Sequence, residues 1–426
     1  MITTQVIKCR IPEQQADNLN RESGRIYTAV MVEHWRIYRR KGVWLKQSQA
    51  EKLNDLYDAD APNLLHAHSR DAAQQGFYKA CKTARTLRRE GNAEVRYPYR
   101  RRRFRTTVWK DTGIRLRNGC LLLSLARGFE PVVIPLPPRF TYLPEEAFRE
   151  VRLVYNHKRK KYQWHLVIDD GQEPPEAPGD HVVSVDLGEI HPAVASDHSQ
   201  AVVFSARELR AVIQYRNKTL AEITRLQSRC KKKSRRWWRL QRLKNEIRAY
   251  CERKIRDILH KVSRAVVDWA IERKARFIII GDVRDAGNGK RLARKSQQKI
   301  SQWPHGKLRR YITYKAAMAG ITVLLQNEAY TSQTCPNLEC GHQHKPKGRD
   351  FKCPKCGLRA HRDVVGAANI LSKYLYGLIG GICPQDVRFV QPFKIEREKY
   401  RGRSKHPFLS RMPVSFHTVV LNRLRR

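Results

Sequence analysis

Apolar and polar positions alternate at the start of the chain, and residues 4–10 predict one strand. From Pro12 to Arg89 the apolar spacing lengthens to that of a helix. Within this block, His68–Lys82 sets Ala72, Gln75, Tyr78, Lys79 and Lys82 on neighbouring faces. Small and polar residues dominate it, so it is expected to face a ligand as well as a core. Between residues 95 and 170 the apolar runs shorten. Leu121–Leu125, Pro131–Pro135, Val151–Tyr155 and Lys161–Ile168 are each bounded by Gly, Pro or charge. That is the pattern of a small β-barrel or sandwich. Residues 4–10 would be its first strand, with the helical block inserted after it.

Residues 171–180, rich in Pro, Gly and Glu, read as a linker. A new pattern follows. Val182–Asp186 is an apolar strand ending in an acid, Phe277–Asp282 is a second, and Ile321–Glu328 is a third. Residues 206–270 are helical, with Leu240, Leu243, Ile247, Cys251, Ile255, Ile258 and Val262 stepping by three or four along one face. This order implies an α/β domain, whose active groups gather at the carboxyl ends of strands. Beyond about residue 384 the periodicity fades while the basic residues persist, which predicts a mobile tail. No internal repeat is visible.

Composition narrows the class of partner. At 426 residues, 41% of them hydrophobic, the chain suffices for two or three folded domains. Lys and Arg number 85 against 40 acids, a formal net charge of +45. An excess of that size points to a polyanion, with nucleic acid the default. A membrane is the competing partner, but no apolar run approaches the roughly eighteen residues needed to span one. The N-terminus lacks the charged-then-apolar layout of a signal peptide. A cytoplasmic, nucleoid-associated location is therefore expected. In that reducing setting the ten cysteines argue for thiols and a metal rather than disulfides.

Four of those cysteines carry the strongest motif. Cys335 and Cys340 bracket four residues, Cys353 and Cys356 bracket two, and twelve residues separate the pairs. Two short knuckles facing each other supply the four thiolates of a structural Zn²⁺, with no open ligand position. Glu328 stands seven residues before this ribbon and Asp363 seven after it. Asp186, Asp282, Glu328 and Asp363 each end an apolar strand or open a helix. Asp363 precedes an Ala-rich helix that it could N-cap. Mg²⁺ needs such oxygen ligands, and a pair of Mg²⁺ about 4 Å apart suits phosphodiester hydrolysis. Elsewhere, Lys231, Lys232, Lys233, Arg235 and Arg236 run into Trp237 and Trp238, a combination suited to backbone contact and base stacking. A solvated helical turn or a lid hinge remains open for that segment. Arg100, Arg101, Arg102 and Arg103 suit phosphate contact without sequence specificity.

At these residues the chain resembles the TnpB (OrfB) proteins of bacterial insertion sequences, RNA-guided nucleases related to the small type V CRISPR effectors. The matching stretches are Val185–Gly188, Ser234–Arg236 through His260–Ser263, Tyr330–Cys335, Cys353–Gly357, and His361-Arg362-Asp363 with Asn369–Leu371. The resemblance is specific from about residue 180 to 372 and looser before that. It implies a multidomain α+β chain, an N-terminal wedge-like β-barrel with an inserted helical bundle, then an α/β RuvC (RNase H-like) nuclease domain with a four-cysteine zinc ribbon. On that reading residues 1–11 and 95–170 form the wedge, 12–94 the helical recognition insert and 171–180 the linker. Residues 181–333 and 357–383 form the nuclease domain, 334–356 the ribbon and 384–426 the tail. Guide RNA and target double-stranded DNA are the implied partners of a monomer carrying one RNA. Mg²⁺ and structural Zn²⁺ are the implied metals. Gln74, Gln75, Tyr78 and Lys82 would face the duplex beside the target.

The chain departs from the family at one acid. Glycine occupies position 281, where the family's second acid usually ends the strand. Asp282, one residue on, is expected to point to the other face. Some TnpB proteins and their Fanzor relatives supply a glutamate from the neighbouring strand, and Glu328 holds that place. Adjacent strands lie only about 4.8 Å apart, so a side chain there reaches the same metal. The expected triad is Asp186, Glu328 and Asp363. Val365-Gly366, where the family tends to have Asn-Ala, reads as a local packing change. The alternatives are a small CRISPR effector with an array-derived guide and a nuclease-dead guided repressor.

Overall fold

A computed structural model describes residues 2–57, 64–157, 160–282, 297–298, 301–346 and 348–392. The chain divides into two compact units, Met1–Glu173 and Pro174–Arg426.

The first unit opens with strand β1 (Ile2–Lys8) and helices α1 (Glu13–Lys41), α2 (Gln47–Tyr57) and α3 (Ala67–Arg89). Strands β2 (Thr107–Lys110), β3 (Ile114–Arg117), β4 (Cys120–Leu123), β5 (Val132–Pro135), β6 (Phe148–Asn156) and β7 (Lys161–Asp169) follow. β1 pairs with β7, so the helices are an excursion between strands that meet in one sheet. Where the sequence predicts a barrel, the hydrogen bonding resolves into two antiparallel sheets, β1-β7-β6-β2 and β3-β4-β5. Both contribute to one core around Trp109, Trp164, Phe148 and Leu121.

Buried polar groups fix α1 on this core. Asn20 Nδ2 donates to the Leu153 carbonyl at 3.2 Å, and Asn20 Oδ1 accepts from the Thr107 backbone at 3.0 Å. Two helical glycines admit the arginine-rich segment. A Cβ on Gly24 would lie 2.6 Å from the Arg103 carbonyl oxygen, and one on Gly76 would strike the Arg105 guanidinium. Arg105 in turn sits 4.1 Å from the Tyr27 ring centroid, a cation–π contact.

The second unit is built on a six-stranded sheet of order β12-β11-β8-β9-β10-β15. Its strands are β8 (His181–Asp186), β9 (Ala193–Ser196), β10 (Gln200–Phe204), β11 (Ala275–Gly281), β12 (Thr322–Gln326) and β15 (Asp386–Val390). β13 (Asp350–Lys352) and β14 (Arg359–His361) form a separate hairpin. β8, β11 and β12 run parallel, so their carboxyl ends share one edge. Helices α4 (Arg207–Ser228), α5 (Arg235–Glu272), α6 (His305–Ala317) and α7 (Arg362–Tyr376) complete the unit.

Strand alternation decides which helix meets which face. Val183 and Val185 point into the large core of α4, α5 and α6. Val182 and Ser184 point the other way, where Val182 packs against Ala368 and Leu371 of α7. Ser184 Oγ donates to the Ala367 carbonyl at 2.7 Å, tying α7 to the middle of β8. Among the described residues no helix is long and apolar enough to cross a membrane.

Two expectations are corrected here. The tail predicted from residue 384 begins inside the sheet, because Asp386–Val390 pair in parallel with β10. Val387, Phe389 and Val390 stay exposed, so this edge strand adds main-chain bonds and leaves no apolar periodicity to read. Residues 393–426 of the predicted tail lie outside the described residues. In addition, the cap of α7 is His361 rather than Asp363, and no side chain caps the helix. Asp363 lies one residue inside, its carboxylate turned to Arg349.

The tight passage at Gly24 makes a test. Gly24→Ala is expected to lower the stability of the chain by about 1–3 kcal/mol, the usual range for overpacking. Urea unfolding of the full chain measures it, and an unchanged midpoint contradicts the close approach of Arg103.

Candidate active site and zinc ribbon

Three acids converge at the shared carboxyl edge of the parallel strands. Asp186 is the last residue of β8, on the face that Ser184 turns to α7. Loss of water pushes its carboxyl up to about 8, and the negative charges of Glu328 and Asp363 add to the shift against the pull of Arg349 and Arg362. The three carboxylates therefore feel one another directly.

Glu328 arrives by a different route. β12 ends at Gln326, and Glu328 opens the turn beyond it. That turn is pinned from α7, where Asn369 Nδ2 donates at 2.8 Å to the carbonyls of both Thr331 and Thr334. Thr331 Oγ1 donates back to the Glu328 carbonyl at 2.9 Å. The carboxylate fills the space a side chain at 281 would need, since a Cβ on Gly281 would lie 2.8 Å from Glu328 Oε2. Gly366 does the same for Asp186, because a Cβ there would lie 3.0 Å from Asp186 Oδ2. The Val365-Gly366 departure thus also makes room for a carboxylate.

Asp363 is 6% exposed and paired with Arg349. Its other oxygen, Oδ2, is buried without a hydrogen-bond partner. Asp282 has Arg309 of α6 3.6 Å from its carboxylate and is not among the charges that shift Asp186. The donor chemistry fits a hard divalent cation. Oxygen ligands meet in a half-dry site, two of them displace the proton equilibrium of the third, and one oxygen lacks a donor.

The four cysteines form a compact cluster, with all four Sγ within 4.8 Å of one another. Cys335 Sγ lies 3.6 Å from Cys356 Sγ, and Cys340 Sγ lies 3.6 Å from Cys353 Sγ. Tetrahedral zinc with bonds of about 2.3 Å requires thiolates about 3.8 Å apart, so the set fits Zn²⁺. Burial raises the Cys353 thiol, but backbone N–H groups of Cys356 and Lys355 outweigh it and bring the thiol down to about 7. The hairpin also carries Arg349, whose carbonyl accepts from the Arg362 backbone at 2.7 Å. The ribbon thus reaches the acid cluster through a charge as well as through the chain.

The residues expected to meet nucleic acid are distributed unevenly. Arg100–Arg103 and Lys82 are exposed. Gln74 is fully buried, which removes it from any surface in this structure. Gln75 accepts from Lys110 Nζ at 3.3 Å, and Tyr78 is half-buried with its hydroxyl 3.1 Å from His34 Nδ1. The helix face that reads as polar in sequence is turned partly inward, its amide and hydroxyl dissolved in the first unit's own network. Lys231–Lys233, Arg235 and Arg236 are exposed between α4 and α5. Ser234 caps α5 by accepting from the Trp237 backbone at 3.2 Å, which leaves Trp238 48% exposed beside Trp237. Sequence reading missed His191 and His361 beside Asp363, and also Arg349. The His361-Arg362-Asp363 run is a local signal for His361 alone.

Comparisons with known proteins bear on this site. Residues 165–286 match the OrfB_IS605 family, described as a probable transposase, and residues 305–370 match the TNB domain of the Cas12f1-like family. The TnpB-like protein MJ0751 of Methanocaldococcus jannaschii is 33% identical over 125 residues, 29% of this chain and 44% of that protein. The putative RNA-guided DNA endonuclease InsQ of Escherichia coli K12 is 31% identical over 228 residues, 49% of this chain and 54% of that protein. The chain thus spans about half the length of these curated relatives. A cryo-EM structure of a Cas12f1–sgRNA–target DNA complex aligns with 84% of this chain and 83% of that one, at a TM-score of 0.56 and 16% identity, which shows a shared fold. The likeness to TnpB read from the motifs is borne out by the family matches and the relatives.

The raised Asp186 carboxyl gives a pH test with a definite sign. Its folded value of about 8 stands above the ordinary 3.8, so the cation-free chain holds a proton there that the unfolded chain has lost. That stabilising contribution is complete below pH 3.8 and fades as pH rises to about 8. A cation must expel the same proton. Apparent Mn²⁺ affinity is therefore expected to rise about tenfold per pH unit until it levels near pH 8. Calorimetric titration measures it, and Asp186→Asn should flatten the profile. In the same titration Gly281→Ala should weaken binding about tenfold or more by displacing Glu328.

Proposed function

We propose that this chain is an RNA-guided DNA endonuclease of the TnpB kind, encoded by a transposable element. It binds a guide RNA and cuts double-stranded DNA beside a short adjacent motif. The observation that carries the reading is the convergence of Asp186, Glu328 and Asp363 at one strand edge, inside the residues that match the transposase-associated families. A sheet with three parallel strands, acids at their ends and a helix crossing one face supports a RuvC-type, RNase H-like site.

Asp186, Glu328 and Asp363 are the ligands we assign to a pair of Mg²⁺ ions. Bound there, Mg²⁺ supplies charge neutralisation at the scissile phosphate and acidifies water for hydrolysis. The protein's own contribution is placement. Asn369 holds the turn that presents Glu328, Ser184 holds α7 over β8, and Arg349 orients Asp363. Arg349 and Arg362 also offer positive charge to a phosphate entering beside the acids. The ribbon zinc is structural.

The first unit is assigned the guide scaffold and the adjacent motif, with Arg100–Arg103 and Lys82 on phosphates. Lys231–Lys233, Arg235, Arg236 and the exposed face of Trp238 form a second contact, where an indole stacks on bases. Target sequence is read by pairing with the guide, so the protein needs charge and shape more than base readout. A net charge of +45 suits a chain that carries an RNA as well as a DNA duplex. The complex is a monomer with one RNA.

The test has two parts. Protein purified from its native locus should carry one discrete RNA species, and sequencing the bound RNA checks this; the absence of any discrete species overturns the reading. In guided cleavage, Asp186→Ala, Glu328→Ala and Asp363→Ala should each reduce the rate by about 100-fold or more, a loss typical of removing an electrostatic stabiliser of the transition state. Asp282→Ala should remain within a few fold of the unaltered chain. Full activity in Glu328→Ala would remove it from the triad.

A further inference from the structure

Beside the acid cluster lies a second donor set, whose two histidines hydrolysis of the phosphodiester leaves unused. His191, from the segment between β8 and β9, and His361, at the end of β14, meet Asp363 with one donor atom of each within 4.8 Å of the others. His191 is 7% exposed and Asp363 6%. Three atoms here are buried with no hydrogen-bond partner, namely His191 Nδ1, His361 Nδ1 and Asp363 Oδ2. A buried polar atom without a partner is costly to keep dry, so three in one place call for a common ligand. Arg349 takes the other oxygen of Asp363 and leaves Oδ2 without a donor. The two rings stand 5.3 Å apart at 66°, and Phe389 of β15 meets them edge-on at 6.3 Å and 5.7 Å.

We propose that His191, His361 and Asp363 form a binding site for a divalent transition ion, separate from the ribbon and from the Mg²⁺ assigned to the acids. The donor set decides the class of ion. Two imidazoles and one carboxylate suit Zn²⁺ or Co²⁺, whereas Mg²⁺ prefers an all-oxygen shell and keeps its water. Three protein ligands leave a fourth position open, the arrangement found where a metal meets an exchangeable anion or water. Asp363 is shared with the acid cluster, so an ion here and a cation on Asp186 and Glu328 influence each other through one carboxylate. The edge strand β15 brings one aromatic ring, itself largely exposed, edge-on to the imidazoles.

Co²⁺ is the probe, added to the full chain with its ribbon already filled by zinc and with no RNA or DNA present. The readout is therefore independent of guided cleavage, and failure of either reading leaves the other standing. The expected result is bound Co²⁺ whose visible spectrum lacks a thiolate charge-transfer band, with one ion retained in Asp186→Asn. X-ray absorption at the cobalt edge should show a nitrogen and oxygen shell with imidazole scattering. His191→Gln and His361→Gln should each weaken Co²⁺ binding by about tenfold or more, with zinc content unchanged, while Asp186→Asn leaves the imidazole signal in place. A cobalt edge without imidazole scattering in the unaltered chain overturns the proposal without any variant having to fold. So does a Co²⁺ affinity indifferent to both histidine substitutions.

Discussion

Mutual repulsion among three carboxylates is the constraint on which the second unit depends. Like charges about 4 Å apart repel by about 4 kcal/mol at the effective dielectric of a protein surface. A folded domain holds only about 5–15 kcal/mol in total. Such a cluster persists only where the surrounding structure leaves it no room to spread. Ser184 clamps α7 to β8, Asn369 grips the turn after Glu328, and Arg349 holds Asp363 by one oxygen. Each clamp lies outside the cluster, on an element with its own core. The proton retained by Asp186 is the compromise the protein makes when no cation is present. The sheet, the crossing helix and the ribbon act as one device for holding acids at a distance they would not choose.

The first unit solves a different electrostatic problem. Its arginine-rich segment has to lie flat against helices while keeping its side chains outward. Gly24 and Gly76 remove the two Cβ atoms that would obstruct it, and Thr28 Oγ1 meets the Arg102 carbonyl at 3.1 Å. One arginine of the segment, Arg105, is sacrificed to packing against Tyr27. Those that remain exposed therefore project from a backbone fixed on both sides. That matters for a polyanion partner, because ordered cations lose less freedom on binding than those of a loose loop.

Much of this fold is legible in the order of residues alone. The three apolar runs ending near acids are β8, β11 and β12; the interior strands β8 and β11 bury most of their Val and Ile, while β12 is an edge strand with Leu325 43% exposed. The α5 face from Leu240 to Val262 is buried throughout, as its spacing of three and four implies. The cysteine spacing anticipates four Sγ atoms gathered in one cluster. What stays hidden shares a physical cause, namely that the deciding contacts are distant in sequence. Gln74 looks like a surface residue, and only the packing of α3 shows it to be interior. His191 precedes His361 by 170 residues, and nothing local joins them. β15 contributes hydrogen bonds rather than buried area, and sequence periodicity reports buried area. The cap of α7 misleads because an acid at a helix start serves equally as a cap and as a ligand; its partner Arg349 decides the matter.

The exchange at Gly281 carries a consequence for how such chains change over generations. Glu328 reaches the cluster only because position 281 is empty, so the two sites behave as a single unit of inheritance. An acid restored at 281 while Glu328 remains would crowd the cleft. Loss of Glu328 while glycine remains would leave it short of charge. The two positions are therefore coupled through the space between neighbouring strands. Counting acids position by position scores this chain as defective. Counting them by where their oxygens arrive brings Glu328 to the edge that Asp186 and Asp363 share.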